Sequence, residues 1–169
     1  MTVTTPEFRI ARATERDVPV ILAMIKGLAD YEKMADQVTA TEAELRASLF
    51  GPRPAAEVVI GYADEEAAGF ALFFHNYSTF LAQPGIYLED LFVVPKWRGH
   101  GLGRKFLAHL AALAIERGCG RLDWVVLDWN EPAIGFYKKL GAKPMDEWTT
   151  FRVTGDALHQ LTLEVEGRP

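Results

Sequence analysis

Val18, Ile21, Leu22, Ile25, Leu28 and Ala29 recur at three- and four-residue spacing, which predicts an amphipathic helix ending near Tyr31. Thr14-Glu15-Arg16-Asp17 ahead of it has the form of a capping box with Asp in place of the usual Glu or Gln. A second, shorter helix is predicted over Thr41 to Leu49, capped by Thr41 with Glu44 three residues on. Between the two lies a polar stretch, Tyr31 to Thr39, which reads as a mobile loop. Leu102, Phe106, Leu110, Leu113 and Ala114 mark the core face of a third helix, stopped by Gly118 and Gly120, with Lys105, His109 and Glu116 facing water. Glu131 to Leu140 predicts a fourth, with Pro132 in its first turn and Gly141 after its end. Strands are predicted at Phe8 to Ala11, Glu57 to Tyr62, Ala68 to Phe74, Ile86 to Val94, Leu122 to Leu127 and Trp148 to Val153. Asn76 to Gly85 reads as a loop and Asp156 to Leu161 as a short helical tail. The order β-α-α-β-β-β-α-β-α-β, in one domain over residues 1–169, is that of an α+β fold: antiparallel strands first, a β-α-β crossover after them.

The strand from Ile86 to Val94 carries two acids, Glu89 and Asp90, in otherwise apolar company. Strict alternation places Ile86, Leu88, Phe92 and Val94 on one face with Asp90. Tyr87, Glu89, Leu91 and Val93 take the other, so the acids point apart. Pro95 ends the strand. Arg98-Gly99-His100-Gly101-Leu102-Gly103 then leads straight into the third helix. Three alternate glycines let the backbone curl its N–H groups inward, and a helix N-terminus adds partial positive charge, which together make a phosphate cradle.

Composition narrows the partners. A net charge of −5 argues against nucleic acid and is compatible with a cationic substrate. One cysteine, Cys119, excludes an intramolecular disulfide and a multi-cysteine zinc site, and the four histidines show no metal-ligand spacing, so no metal is expected. No apolar run approaches the roughly 20 residues that cross a bilayer. Without a visible secretory signal, a cytoplasmic location is expected.

The glycines fit neither of two nucleotide motifs. A dinucleotide fingerprint needs a third glycine where Phe106 stands, and the lysine-bearing P-loop has no counterpart here. The R-x-x-G-x-G pattern from Arg98 to Gly103 instead resembles the coenzyme A pyrophosphate loop of the GNAT N-acetyltransferases. A second signature of that family is similar to the run Asn130-Glu131-Pro132-Ala133-Ile134-Gly135-Phe136-Tyr137-Lys138-Lys139-Leu140-Gly141-Ala142. Leu28-Ala29-Asp30-Tyr31-Glu32, Tyr87-Leu88-Glu89-Asp90 and Trp129-Asn130-Glu131-Pro132 look like the diamine (spermidine/spermine) acetyltransferases and their thialysine-acetylating relatives, over about residues 8–151.

The resemblance implies a GNAT fold, a mixed but mostly antiparallel sheet flanked by helices. It implies acetyl-CoA as acetyl donor with coenzyme A as product, a small amine as acceptor, no membrane or nucleic-acid partner, and a homodimer. An aliphatic amine has a pKa of about 10.4 and must lose a proton to attack. Glu89 or Asp90 is the candidate base, and the diamine enzymes favour Glu89. Tyr137 falls on the family's general-acid position, although periodicity alone makes it a packing aromatic. Backbone N–H groups near Leu91, Phe92 and Val93 would polarise the acetyl carbonyl. Arg98, Gly99, His100, Gly101, Leu102, Gly103 and Arg104 carry over as cofactor contacts, with Asn130, Glu131, Pro132 and Ala133 at the second signature. Leu140 stands where a basic residue is expected. Tyr31, Glu32, Glu89, Asp90, Trp124 and Glu147 match positions lining the amine site. Diamines or polyamines come first as acceptors, thialysine-like amino acids or a protein amine second. A non-catalytic acyl-CoA-binding regulatory module is the alternative of a different class, and the Glu89/Tyr137 pair is what such a module would not require.

Overall fold

The computed structural model describes residues 7–166. They divide into two compact units, the first ending at Val125 and the second beginning at Val126. The first unit runs β1 (Phe8–Arg12), a 3-10 turn (Glu15–Asp17), α1 (Val18–Tyr31), α2 (Glu42–Phe50), β2 (Glu57–Ala63), β3 (Glu66–Ser78), β4 (Gln83–Val93), α3 (Leu102–Glu116) and β5 (Leu122–Trp124). The sheet order is β1-β2-β3-β4-β5, antiparallel throughout except for the parallel β4–β5 pair. This is the expected mixed sheet. The second unit holds α4 (Glu131–Lys139) and α5 (Gly155–Glu166).

Local chemistry explains the helix ends. The Thr14 N–H donates to Asp17 Oδ2 at 2.6 Å, closing the first capping box. Thr41 and Glu44 close the second, with the Glu44 N–H donating to Thr41 Oγ1 at 3.3 Å. The polar stretch after α1 is not featureless. Lys33 turns left-handed at φ 62°, its N–H reaches Asp30 O, and the Met34 N–H reaches Ala29 O at 2.8 Å. That is the hydrogen-bond pattern of a Schellman close, and a 3-10 turn at Ala35–Gln37 follows. Glu32 is thereby fixed at the end of α1.

One sheet face packs on α1 and α2 through Val18, Ile21, Met24, Leu45, Leu49, Val58, Ile60, Phe70 and Phe92. The other receives α3. Gly61 and Gly69, paired across β2 and β3, let it approach: a Cβ on Gly61 would stand 2.7 Å from the Phe106 ring. No helix of the described residues is long and apolar enough to cross a membrane.

Four expectations change. First, β3 and β4 extend through most of the anticipated Asn76 to Gly85 loop, leaving a turn at residues 79–82. Pro84 is tolerated in β4 because its carbonyl accepts from the Gly120 N–H, so its nitrogen faces that edge and not the β3 ladder. Second, β5 stops at Trp124 instead of Leu127. Third, Trp148 to Val153 forms no strand and α5 extends to Glu166, so the last elements of the described residues are α-α. β-branched residues favour extended backbone, but a strand also needs a partner ladder. Fourth, alternation along β4 is broken. Asp90 stands opposite Leu72 and Leu88 opposite Phe73, so Glu89 is an extra, bulged residue. The bulge moves Ile86 and Leu88 to the face opposite Phe92.

Candidate active site

The bulge at Glu89 determines what the two acids meet. Leu72 and Phe92 pack toward α1 and α2, and Asp90, opposite Leu72, shares that side. Glu89 and Asp90 are therefore not held apart by the sheet as strict alternation requires. Burial, then the neighbouring charges of Glu89 and Glu32, push the Asp90 carboxyl up to about 6. Burial also raises Glu32 at the end of α1. Asp90 thus lies where the charges of two other acids are felt, Glu32 just after α1 and Glu89 beside it on β4. Tyr31 stands beside them, its ring under the Arg98 guanidinium at 4.7 Å. Arg98 also lies over Phe92 at 5.5 Å and donates from Nε to Val93 O at 2.9 Å. This arginine stitches the end of β4 to the end of α1.

Beyond Leu88, β4 has no β5 partner, because the parallel register ends at Leu88 with Trp124. The Val94 N–H donates to Ala68 O at 2.9 Å, on the β3 side. Ladder alternation then aims the N–H groups of Leu91 and Val93 at the open edge. Pro95–Trp97 makes a 3-10 turn, and the glycine loop follows. Gly99 and Gly101 are left-handed, at φ 79° and 89°. Nothing lies within 4 Å of a Cβ built on either. Gly103 does not share this role, since it is already helical in α3. The 15-residue helix begins at Leu102 with no side-chain cap on its first N–H groups. His100 and Arg104 are exposed beside them. A curled, side-chain-free loop at a long uncapped helix N-terminus fits a pyrophosphate.

In the second unit Asn130 is buried and caps α4, its Oδ1 accepting from the Ala133 N–H at 3.3 Å. Pro132 fills the first turn, where its missing N–H is not needed, and Glu131 adds a favourable charge there. Tyr137 is half-buried, its ring 5.4 Å from that of Phe136. Glu147 is exposed in the stretch without regular structure.

The first unit thus gathers Tyr31, Glu32, Glu89 and Asp90 but not Trp124. Trp124 stands in register with Leu88, on the face opposite its neighbour Asp123. A polar group that sequence reasoning passed over sits on the Asp90 face. Asn76 Nδ2 donates to Asp123 Oδ2 at 3.1 Å across β4, and Arg121 Nε lies 2.9 Å from the same oxygen. Gly85 makes the crossing possible: a Cβ there would come 2.3 Å from Asn76 Oδ1 and 3.1 Å from Arg121 Cγ. The signal in the sequence was an acid in an apolar strand, the one that singled out Glu89 and Asp90. Among the described residues no cluster of His, Cys, Asp or Glu is arranged to hold a metal ion.

Residues 24–142 match the model of the Acetyltransferase (GNAT) family. The chain is similar to thialysine N-epsilon-acetyltransferase of Sus scrofa, 39% identical over 90% of this chain and 95% of that one. It is 33% identical to L-ornithine N5-acetyltransferase NATA1 of Arabidopsis thaliana, over 90% of this chain and 87% of the relative. Among solved structures, an integron cassette protein of V. cholerae superposes with a TM-score of 0.78 at 28% identity, covering 92% of this chain and 97% of that one.

Proposed function

The chain belongs to the GNAT family of N-acetyltransferases, and from that premise we propose that it acetylates a terminal primary amine on a small cationic molecule, a diamine or polyamine or a thialysine-like amino acid. The observation that carries this reading is the buried Asp90 at the β4 bulge, within reach of the charges of Glu89 and Glu32 and next to the open edge of β4. A site with three carboxyl groups attracts an ammonium and provides a place for the proton it must lose.

Bound acetyl-CoA supplies the acyl thioester, its pyrophosphate on the loop Arg98 to Gly103 and the N-terminus of α3, with Asn130 and Ala133 as further contacts. Glu89 takes the proton from the amine nitrogen, directly or through water. The new C–N bond forms as the C–S bond breaks, giving an amide and a thiol. The N–H groups of Leu91 and Val93 hold the acetyl oxygen while charge builds on it. Tyr137 Oη gives a proton on the leaving side. In this reading residues 1–169 act as one catalytic domain, working as a homodimer.

Coenzyme A release should be followed with ornithine, thialysine, putrescine, spermidine and a lysine peptide. Turnover of one or more of the small amines, lost in Glu89→Gln, is the expected result. Activity confined to the peptide would redirect the reading to a protein amine. No activity with any of them would favour an acyl-CoA-binding module.

A further inference from the structure

The Asp90 face of the sheet continues past the acids. Leu72, Phe74 and Asn76 follow one another on this side of β3, and Tyr87 of β4 faces Phe74. Their rings stack, 5.2 Å between centroids at 28°. Asp123 of β5 is in register with Tyr87, hence on the same face. The surface therefore runs from the acid cluster over an aromatic floor to the Arg121–Asp123 pair. The path covers three residues of β4 plus one strand spacing, roughly 10 Å along and 5 Å across, shortened by the bulge.

We propose that the Arg121–Asp123 pair is a head-group site for a free α-amino acid whose side chain ends in the amine to be acetylated. The proposal rests on the amine-acetylation reading above and names the substrate class for that same site. Arg121 and Asp123 are 41% and 38% exposed, open enough to meet a ligand. Both contacts on Asp123 fall on Oδ2, and among the described residues Oδ1 accepts no hydrogen bond. Arg121 spends Nε on Asp123, and its Nη2 reaches Tyr77 O only at 3.5 Å. One carboxylate oxygen and the outer guanidinium N–H groups are left to work with.

The sign of the charges selects the ligand. A bare diamine brings a second ammonium to a pair that is already neutral, and Arg121 offsets what Asp123 gains. A zwitterionic head satisfies both partners, its α-ammonium on Asp123 and its α-carboxylate on Arg121. The apolar side chain then lies on the Phe74–Tyr87 rings and carries its terminal ammonium toward Glu32, Glu89 and Asp90. From Cα to the terminal nitrogen, ornithine and lysine have four and five single bonds of about 1.5 Å, which cover roughly half of that path, and the carboxylate side chains at its two ends reach for the rest. Asn76 acts as a positioning residue: it holds Asp123 by crossing β4 over Gly85.

The test is steady-state kinetics on the full chain at saturating acetyl-CoA. L-ornithine and L-lysine are compared with putrescine and cadaverine, which lack only the carboxylate. A site built to bind a polar group rejects the analogue lacking it, so the amino acids are expected to have kcat/KM about tenfold or more above their counterparts. Arg121→Gln should remove that preference by raising KM for the amino acids, while the diamines, freed of the charge that offsets Asp123, gain in kcat/KM, which a misfolded variant could not show. Equal kcat/KM for the two series would overturn the head-group assignment alone, as would an Arg121→Gln variant that slows both series alike. Turnover of neither series would overturn the amine-acetylation reading and this assignment with it.

Discussion

Asp90 occupies a position that favours the protonated carboxyl. Burial and the charges of Glu89 and Glu32 move it from 3.8 to about 6. Since the folded chain keeps this proton more tightly than the unfolded chain does, the contribution to stability is largest in acid and is lost as pH rises from about 4 through 6. At about 1.4 kcal/mol per unit, ionised Asp90 costs at most ~3 kcal/mol at neutral pH. Asp90→Asn should raise the urea midpoint at pH 7.5 and leave it almost unchanged at pH 4. In the same variant the acidic limb of kcat/KM near pH 6 should flatten onto a lower plateau, if ionised Asp90 helps to hold the amine. A limb that stays in place would assign the titration to another group. Glu89→Gln, by contrast, removes the proposed base and should lower kcat by about 10²- to 10⁴-fold. Tyr137→Phe tests the acid on the leaving side: turnover kept with that single oxygen removed would end its assignment.

At the scale of elements, the cradle is a loop whose shape depends on Gly101 at φ 89° and on the empty space around it. Gly101→Ala meets no neighbour, so its cost is the left-handed backbone alone, about 1–2 kcal/mol. Gly101→Glu adds a carboxylate where a pyrophosphate is to bind. Calorimetry should show acetyl-CoA binding weakened in the first variant and abolished in the second. Equal binding by both would remove the cradle from the site. This loop was legible in the sequence because glycine spacing and a helix start are local signals. So were the three helices of the first unit, whose periodicity and end signals lie within a few residues of one another. The β4 bulge was not legible. It exists only as a mismatch between Leu72–Phe73 and Leu88–Asp90 on different strands, and nothing in Leu88-Glu89-Asp90 alone announces it. The Asn76–Asp123–Arg121 group was hidden for the same reason, since its members meet across three strands. The stretch Trp148 to Val153 failed in the opposite direction: its residues suit a strand, but strands are made by partners.

For the molecule as a whole, charge has to serve two ligands of opposite sign. The net charge of −5 draws in a cationic amine and opposes the polyanionic donor, which the helix dipole and left-handed loop attract only at short range. Salt therefore acts differently on the two. The Debye length falls from about 10 Å at 0.1 M to about 3 Å at 1 M, so long-range steering fades first and contacts within the site last. If ligand charge sets the effect, kcat/KM should drop most for spermidine, less for putrescine and least for ornithine, whose carboxylate cancels one of its two positive charges. Over 0.05 to 0.5 M salt the spermidine value should fall severalfold, while the acetyl-CoA dissociation constant rises less steeply. The ranking separates steering from general salt inhibition, because inhibition of the enzyme itself would lower all three by one common factor. A common factor would confine the electrostatic role of the carboxylates to contact with the bound amine, whereas a graded fall would place the attraction at the approach as well.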